Sequence, residues 1–474
     1  MSEFFPALTL EAGVFALAVL TLIIGVSFGR RDDRPVGALV FAGLLALFVM
    51  SLGSGADQRA FDGAFVVDEL ALFAKRLFLG AGMLSVLAAM ALYDRPYRKR
   101  SPEYHFLLLA SLLGMLVLVS ARELLLLFVA FELMSIPLYI LTGFRKRDEG
   151  GPEAALKFFL VGTVSSAIVL YGLSFLYGIT GSTEIGTIAV QLAAGREPLV
   201  GLGLALVLAG LGFKIAAVPF HMWVPDSYQA GSTPFVAWLS VAPKAAGFIV
   251  IVRLYLEGVG PGALIWLPAM AGLASLTIVA GNLMALPQQN IKRLLAYSGI
   301  AHIGYMLMGL AAVSANGIAM VLFYLVAYLF GNMGAFFVVQ AVGSSEGSDS
   351  IDAYRGLAQR SPVLALTMLI FLLSLGGIPF VAGFWAKLYV FWAAVDRGLY
   401  WLAFLGAVLT VVALYYYLVV ASRMYIDAPA RTEPVRIGAP LVVAIAICVA
   451  GVVLMGVYPE PWVQAVLAAV EGLM

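Results

Sequence analysis

The sequence predicts an all-α, polytopic membrane protein of about 14 crossing helices. Three observations carry that prediction. Of 474 residues, 62% are hydrophobic and only 12% charged, whereas soluble domains carry about 25% charged residues. Apolar stretches of about 20 residues, the length that crosses a bilayer, recur from one end of the chain to the other. The basic residues between those stretches fall unequally on alternate sides, as cytoplasmic loops demand.

The stretches lie near 9–28, 36–54, 68–93, 104–120, 123–143, 153–179, 199–220, 233–256, 263–285, 293–313, 316–342, 362–391, 399–424 and 438–458. The twelfth is interrupted by GGIPFVAG. With the N-terminus outside, the cytoplasmic loops hold Arg30, Arg31, Arg34, Arg95, Arg98, Lys99, Arg100, Arg145, Lys146, Arg147, Lys292, Arg293, Arg355, Arg360, Arg423, Arg431 and Arg436. The opposite loops hold Arg59, Arg122, Arg196, Arg253 and Arg397. Seventeen against five supports a multi-pass chain of the cell's inner (plasma) membrane, both termini outside.

Other functional classes recede on the same reading. A net charge of +1 argues for neither nucleic acid nor an acidic partner. The single cysteine, Cys448, rules out disulfides, iron–sulfur ligation and thiolate zinc sites. The opening MSEFFPALTL has no basic region of a cleavable signal peptide, so its first apolar stretch is expected to remain as a helix.

Charges inside the stretches are the functional signal. Glu132 lies in ELLLLFVAFELMSIPLYIL, with Ser135 and Tyr139 on the same helical face at i+3 and i+7. Lys214 lies in the seventh stretch, Lys244 in the eighth (FVAWLSVAPKAAGFIVIV) and Lys387 after the break in the twelfth. Each costs about 2.5–3.5 kcal/mol on insertion scales, so four unpaired would burden the fold by roughly 10 kcal/mol. One alternative is structural: Glu132 pairs with one lysine and holds two helices together. Two lysines then stay unexplained, and a packed apolar pair is often no worse than a buried ion pair. A proton route accounts for all four. Burial favours the neutral amine and a nearby carboxylate favours the ammonium, so a lysine can exchange a proton as its surroundings change; an arginine cannot.

The remaining ionisable groups have two readings each. His302 (YSGIAHIGYM) is either a relay or a hydrogen-bonded core histidine, and His221 stands lower on the same scale. Lys157 either forms an ordinary i,i+4 pair with Glu153 or takes part in function. Lys75 and Arg76 are expected to snorkel to water from the outer end of the third stretch, and His105 is given no role. Pro219 is expected to free the carbonyl of Ile215, and Pro379 that of Leu375. Broken helices are tolerated at membrane depth where they are buried in protein or line a cavity. AAVPF (216–220) and GGIPF (376–380) share a pattern in stretches that cross in opposite directions, which predicts an inverted-topology repeat.

FVAFELMSIPLYIL, FKIAAVPFHMWVPDSYQAGSTP, APKAAGF, IKRLLAYSGIAHIGYM and GFWAKLYVF resemble the antiporter-like membrane subunits of proton-pumping NADH:quinone oxidoreductase, respiratory complex I. The likeness runs from about residue 60 to 425, with SYQAGSTP as a mild departure. Lys387, LYYYLVV and an end after the fourteenth stretch resemble the N branch of that family. The resemblance implies that Glu132 and Lys214 form a gating pair, that Lys244 links two half-channels and that Lys387 is the terminal proton site. Lys157 matches the sixth-helix lysine, and His302 a histidine of the central polar axis. It further implies one membrane domain over 1–474: three N-terminal helices (1–103), two five-helix repeats (104–257 and 258–425) and a last helix (426–474). FMN, iron–sulfur clusters and quinone would belong to partner subunits, with no cofactor on this chain. The partners would be neighbouring antiporter-like and small membrane subunits. Three rivals stay open: a cation/proton antiporter, the membrane arm of an energy-converting hydrogenase, and a purely structural spacer.

Overall fold

The predicted apolar stretches appear as helices in the computed structural model, which describes residues 4–28, 34–92, 97, 99–145, 150–194, 198–258, 266–429 and 431–471. Arg30, Arg31, Arg95, Arg98, Lys146, Arg147 and Arg196, counted in the charge bias, lie outside the described residues. Among the described residues, eleven helices are long and apolar enough to cross a membrane, and three shorter apolar ones cover Thr9–Gly25, Leu199–Ile215 and Pro362–Gly376.

In chain order, the helices that matter are α1 (Thr9–Phe28), α2 (Arg34–Gly53), α3 (Glu69–Met90), α4 (Ser101–Ser120), α5 (Leu124–Thr142) and α6 (Gly150–Thr180). There follow α7 (Pro198–Ile215), α8 (Trp223–Ala230), α9 (Thr233–Ile251), α10 (Leu267–Ala285), α11 (Ile291–Ala311) and α12 (Ala315–Glu346). The last are α13 (Pro362–Gly376), α14 (Ala382–Asp396), α15 (Tyr400–Tyr425), α16 (Ala439–Val457) and α17 (Glu460–Val470).

Local chemistry sets the helix ends. The Asp68 carboxylate accepts from Ala71 N at 2.9 Å and starts α3. Glu123 does the same for α5 through Leu126 N at 2.7 Å, and Asn290 for α11 through Lys292 N at 3.0 Å. Each satisfies a donor that the first helical turn leaves without a partner.

The chain divides into two units. The first comprises 1–215, 242–266 and 468–474. Within it α4 packs along α1 and α5, and α6 along α7. A short antiparallel pair, β1 (Gln58–Ala60) with β2 (Phe65–Val67), was not anticipated. It is tied to the α4–α5 link, where Arg122 N donates to Ala64 O at 2.8 Å. The second unit comprises 216–241 and 267–467. There α10 lies along α11, and α12 packs against α14 and α16.

Two expectations about basic residues fail. Lys75 does not reach water: it is buried and pairs with Glu11 of α1 at 2.8 Å. Its neighbour Arg76 donates to Ser51 O at 2.8 Å. The Glu11 carboxylate gives the lysine a partner inside the bundle, which removes the need to snorkel. Arg253, counted with the loops, is fully buried in a π-helical continuation of α9, Val252–Glu257.

Candidate functional site

In the first unit, polar groups on α5, α6 and α7 converge. Glu132 is half-buried on α5 and accepts a hydrogen bond from the Ser166 hydroxyl of α6. One turn further along α5, Ser135 Oγ receives Lys214 Nζ at 2.5 Å and donates to Phe131 O at 2.5 Å. Lys214 Nζ also lies 4.7 Å above the Phe131 ring and 5.6 Å from that of Tyr139, within the range at which a protonated lysine gains cation–π attraction. Lys214 sits in the last turn of α7, where the helix carbonyls favour a cation.

The predicted stripe Glu132–Ser135–Tyr139 is thus the surface on which Lys214 rests. The lysine's hydrogen bond goes to Ser135, while Glu132 is held by Ser166. After Ile215 the helix stops. Ala216 takes φ +69°, an unusual conformation for a non-glycine residue, and such strain persists only where surroundings impose it.

Lys244 is buried on α9 directly after Pro243, inside a helix that is buried throughout. Lys157 lies on an exposed face of α6, about half of its side chain accessible, and pairs with Glu153 at 2.7 Å.

In the second unit the break after α13 builds the Lys387 site. Gly377 adopts φ +83° and closes the helix, its N–H donating to Leu373 O at 2.9 Å. Phe380 follows with φ +72°, and α14 starts at Ala382. Lys387 Nζ donates to Gly376 O at 3.1 Å. The carbonyl that receives the lysine is Gly376's, next to the Leu375 carbonyl that Pro379 was expected to free. The αL turn at Gly377 redirects the chain two residues before the proline and exposes that oxygen. A Cβ at Gly377 would stand 2.8 Å from Lys387 Cδ, so the missing side chain is what admits the lysine stem.

Lys387 Nζ also lies 5.0 Å over the Tyr305 ring, and the Tyr305 and His302 rings are 6.2 Å apart. His302 Nδ1 is 2.7 Å from the Tyr324 hydroxyl and Nε2 is 3.3 Å from that of Tyr417. Tyr417 in turn meets the Ser298 hydroxyl. The outcome is a buried hydroxyl–imidazole chain beside the buried Lys387 amino group. His221 lies buried in the interruption between α7 and α8, and His105 is buried with Nδ1 2.8 Å from Ser101 O. Among the described residues, no three His, Cys, Asp or Glu side chains are grouped to hold a metal ion.

Several polar groups escaped the sequence reading. Glu11 is the sole charge in its apolar stretch, which was the available signal. Tyr305 and Tyr324 carry no signal that separates them from ordinary aromatic core, and Tyr417 was noted only within the family-like LYYYLVV. Where α3 begins, Asp68 caps the helix from just outside the span and binds Arg253 NH2 at 2.6 Å and Arg122 NH2 at 2.6 Å. Glu257 joins the same two arginines. Burial alone would raise the Asp68 carboxyl, but the hydrogen bond and charge of Arg253, with Arg122, hold it at about 2. Burial and the neighbouring Arg253 bring Arg122 down to about 10, still cationic at neutral pH.

These features define a class: a polytopic helical membrane protein whose buried lysines sit at or beside broken helices, among hydroxyls and an imidazole. Residues 121–413 match the family described as NADH:quinone oxidoreductase/Mrp antiporter, transmembrane. The NADH-quinone oxidoreductase subunit N of Heliobacterium modesticaldum is 42% identical, over 99% of this chain and 99% of that one. A chain of respiratory complex I from Thermus thermophilus is 34% identical and superposes with a TM-score of 0.82, covering 97% of this chain and 99% of that one. A chain of the Mrp complex from Dietzia sp. DQ12-45-1b, 22% identical, shares the fold with a TM-score of 0.88 over 99% and 98% of the two chains. The chain belongs to the NADH:quinone oxidoreductase/Mrp antiporter transmembrane family.

Proposed function

We propose that this chain is a proton-translocating membrane-arm subunit, of the N type, in an NADH:quinone oxidoreductase. The observation that carries the reading is the end-to-end likeness to a subunit N relative, 42% identical over 99% of both chains. FMN, iron–sulfur clusters and quinone belong to partner subunits in this reading, and this chain moves protons. The partners are neighbouring antiporter-like and small membrane subunits. The chain sits in the plasma membrane with both termini outside.

The geometry supports roles for single residues. Lys214 holds a proton as an ammonium on Ser135, and a change in charge at Glu132 releases it. Lys244 takes the proton next. Lys387, on the Gly376 carbonyl, delivers it, with His302 and its tyrosines as the relay. Lys157 exchanges protons from its place beside Glu153. The magnitudes agree. A hydrogen bond to a charged group contributes about 1.5–3 kcal/mol, and carrying one charge across 100 mV costs about 2.3 kcal/mol. Making or breaking the Lys214–Ser135 bond is therefore of the size needed to drive one step.

The test is a tagged preparation from native membranes, assayed for NADH-driven quinone reduction, flavin, iron and proton uptake in vesicles. Redox activity with pumping abolished by Lys214→Ala supports the proposal. An intact but redox-silent complex that exchanges sodium for protons would replace it with an antiporter. Full pumping in both Lys214→Ala and Lys387→Ala would leave a spacer.

A further inference from the structure

Asn332, in the middle of α12, is completely buried. Its Nδ2 donates to Ser240 Oγ of α9 at 2.7 Å. Ser240 Oγ donates its single proton to Ala237 O at 2.8 Å, so it can only accept from Asn332. That fixes the amide: nitrogen toward Ser240, oxygen away. Asn332 Oδ1 then has no hydrogen-bond donor among the described residues. Four residues earlier, on the same face of α12, the buried Tyr328 hydroxyl also has no hydrogen-bond partner among the described residues. The Tyr328 ring lies 5.1 Å from the ring of His302.

Buried polar groups nearly always find a protein or water partner, so two such atoms one turn apart on one helix face call for one. Ordered water with two to four polar contacts is the ordinary way to satisfy them. We propose that Asn332 Oδ1 and the Tyr328 hydroxyl hold a proton-carrying water in the second unit, feeding the His302–Tyr417–Ser298 chain. Asn332 is a positioning residue. Ser240 orients its amide, the amide orients the water, and the amide itself never takes the proton. Both His302 nitrogens are already engaged by Tyr324 and Tyr417. In each passage the water therefore gains one O–H bond from a proton donor and gives another proton to the Tyr328 hydroxyl, which releases its own toward the chain. Water and tyrosine are unchanged overall. The inference rests on the proton-translocating reading above.

The rival account makes Asn332 simple glue, its bond to Ser240 tying α9 to α12. Pumping rate and its H2O/D2O ratio in vesicles of the whole complex separate the two. Asn332→Leu should assemble and slow NADH-driven pumping roughly tenfold, the scale of one lost hydrogen bond, with a larger solvent isotope effect. Asn332→Ser, which keeps a hydroxyl and leaves room for water, should recover most of the rate. Tyr328→Phe leaves the Ser240 bond intact, so it should slow pumping under the proposal and change nothing under the glue account. Should Asn332→Leu fail to assemble, Tyr328→Phe and Asn332→Ser decide alone. Parental rate and isotope ratio in Tyr328→Phe overturn the proposal. Lys387→Ala runs alongside: if it loses pumping while the Asn332 and Tyr328 variants do not, only this inference falls. If none of them changes pumping, the functional reading falls with it.

Discussion

Replacing Lys75 with methionine leaves Glu11 as a lone carboxylate inside the first unit. The two charges stand 2.8 Å apart, with side-chain exposures of 1% and 6%. At that separation and an effective dielectric of about 20, their attraction is about 6 kcal/mol. Removing both from water costs several kcal/mol per ion, so the pair as a whole is close to neutral against packed apolar side chains. Breaking it from one side is different, because the partner's desolvation is no longer offset; that costs about 3–5 kcal/mol. The expected pattern is therefore asymmetric. Lys75→Met and Glu11→Leu singly each destabilise the subunit by that amount, and the double variant recovers most or all of it. The assay is thermal and denaturant unfolding of the purified complex, read as retention of this subunit, for the four members of the cycle. A Lys75→Met subunit as stable as the parent, or a double variant no better than either single, would refute the reasoning.

Three further outcomes follow from the geometry. Ser135→Ala strips Lys214 of its hydrogen bond and should slow NADH-driven acidification of vesicles by roughly tenfold or more without loss of assembly; an unchanged rate contradicts the role given to Ser135. Gly383→Ala places a Cβ on the Ser374 carbonyl oxygen, a backbone atom that cannot step aside. The turn carrying Lys387 should not close, and the amount of assembled subunit in membranes should fall; parental amounts would show that the break can widen. Asp68 has its carboxyl at about 2 against an ordinary value of 3.8. A depressed acid stabilises the fold above pH 3.8 and loses that contribution, about 2 kcal/mol, as pH falls through about 2. Asp68→Asn should be less stable at neutral pH and should flatten the acid limb of thermal stability. A limb as steep as the parent's would refute the role given to Asp68.

Much of this protein is legible without coordinates because lipid imposes simple rules. A backbone in hydrocarbon must satisfy its own hydrogen bonds, so an apolar run of sufficient length becomes a helix. The same rule makes Pro219 and Pro379 conspicuous, and both fall in real interruptions. The cost of a buried charge likewise marks Glu132, Lys214, Lys244 and Lys387 by type and position alone. Lys75 shows where that reasoning misleads. Its nearness to a helix end suggested escape to water, and no local feature discloses Glu11 sixty-four residues earlier.

The class of fold, the family, the places where helices break and the lysines beside those breaks are legible in the chain alone. Periodicity, composition and proline chemistry act within a few residues and are written along the chain. Packing settled which groups meet: Ser135 with Lys214 across 79 residues, Asp68 with Arg253 across 185, and Tyr417 with His302 across 115. It also decided that Gly376 supplies the carbonyl for Lys387, because the left-handed turn at Gly377 intervenes ahead of the proline. Hydrogen bonds act over about 3 Å, and which residues come that close depends on how helices far apart in sequence pack together.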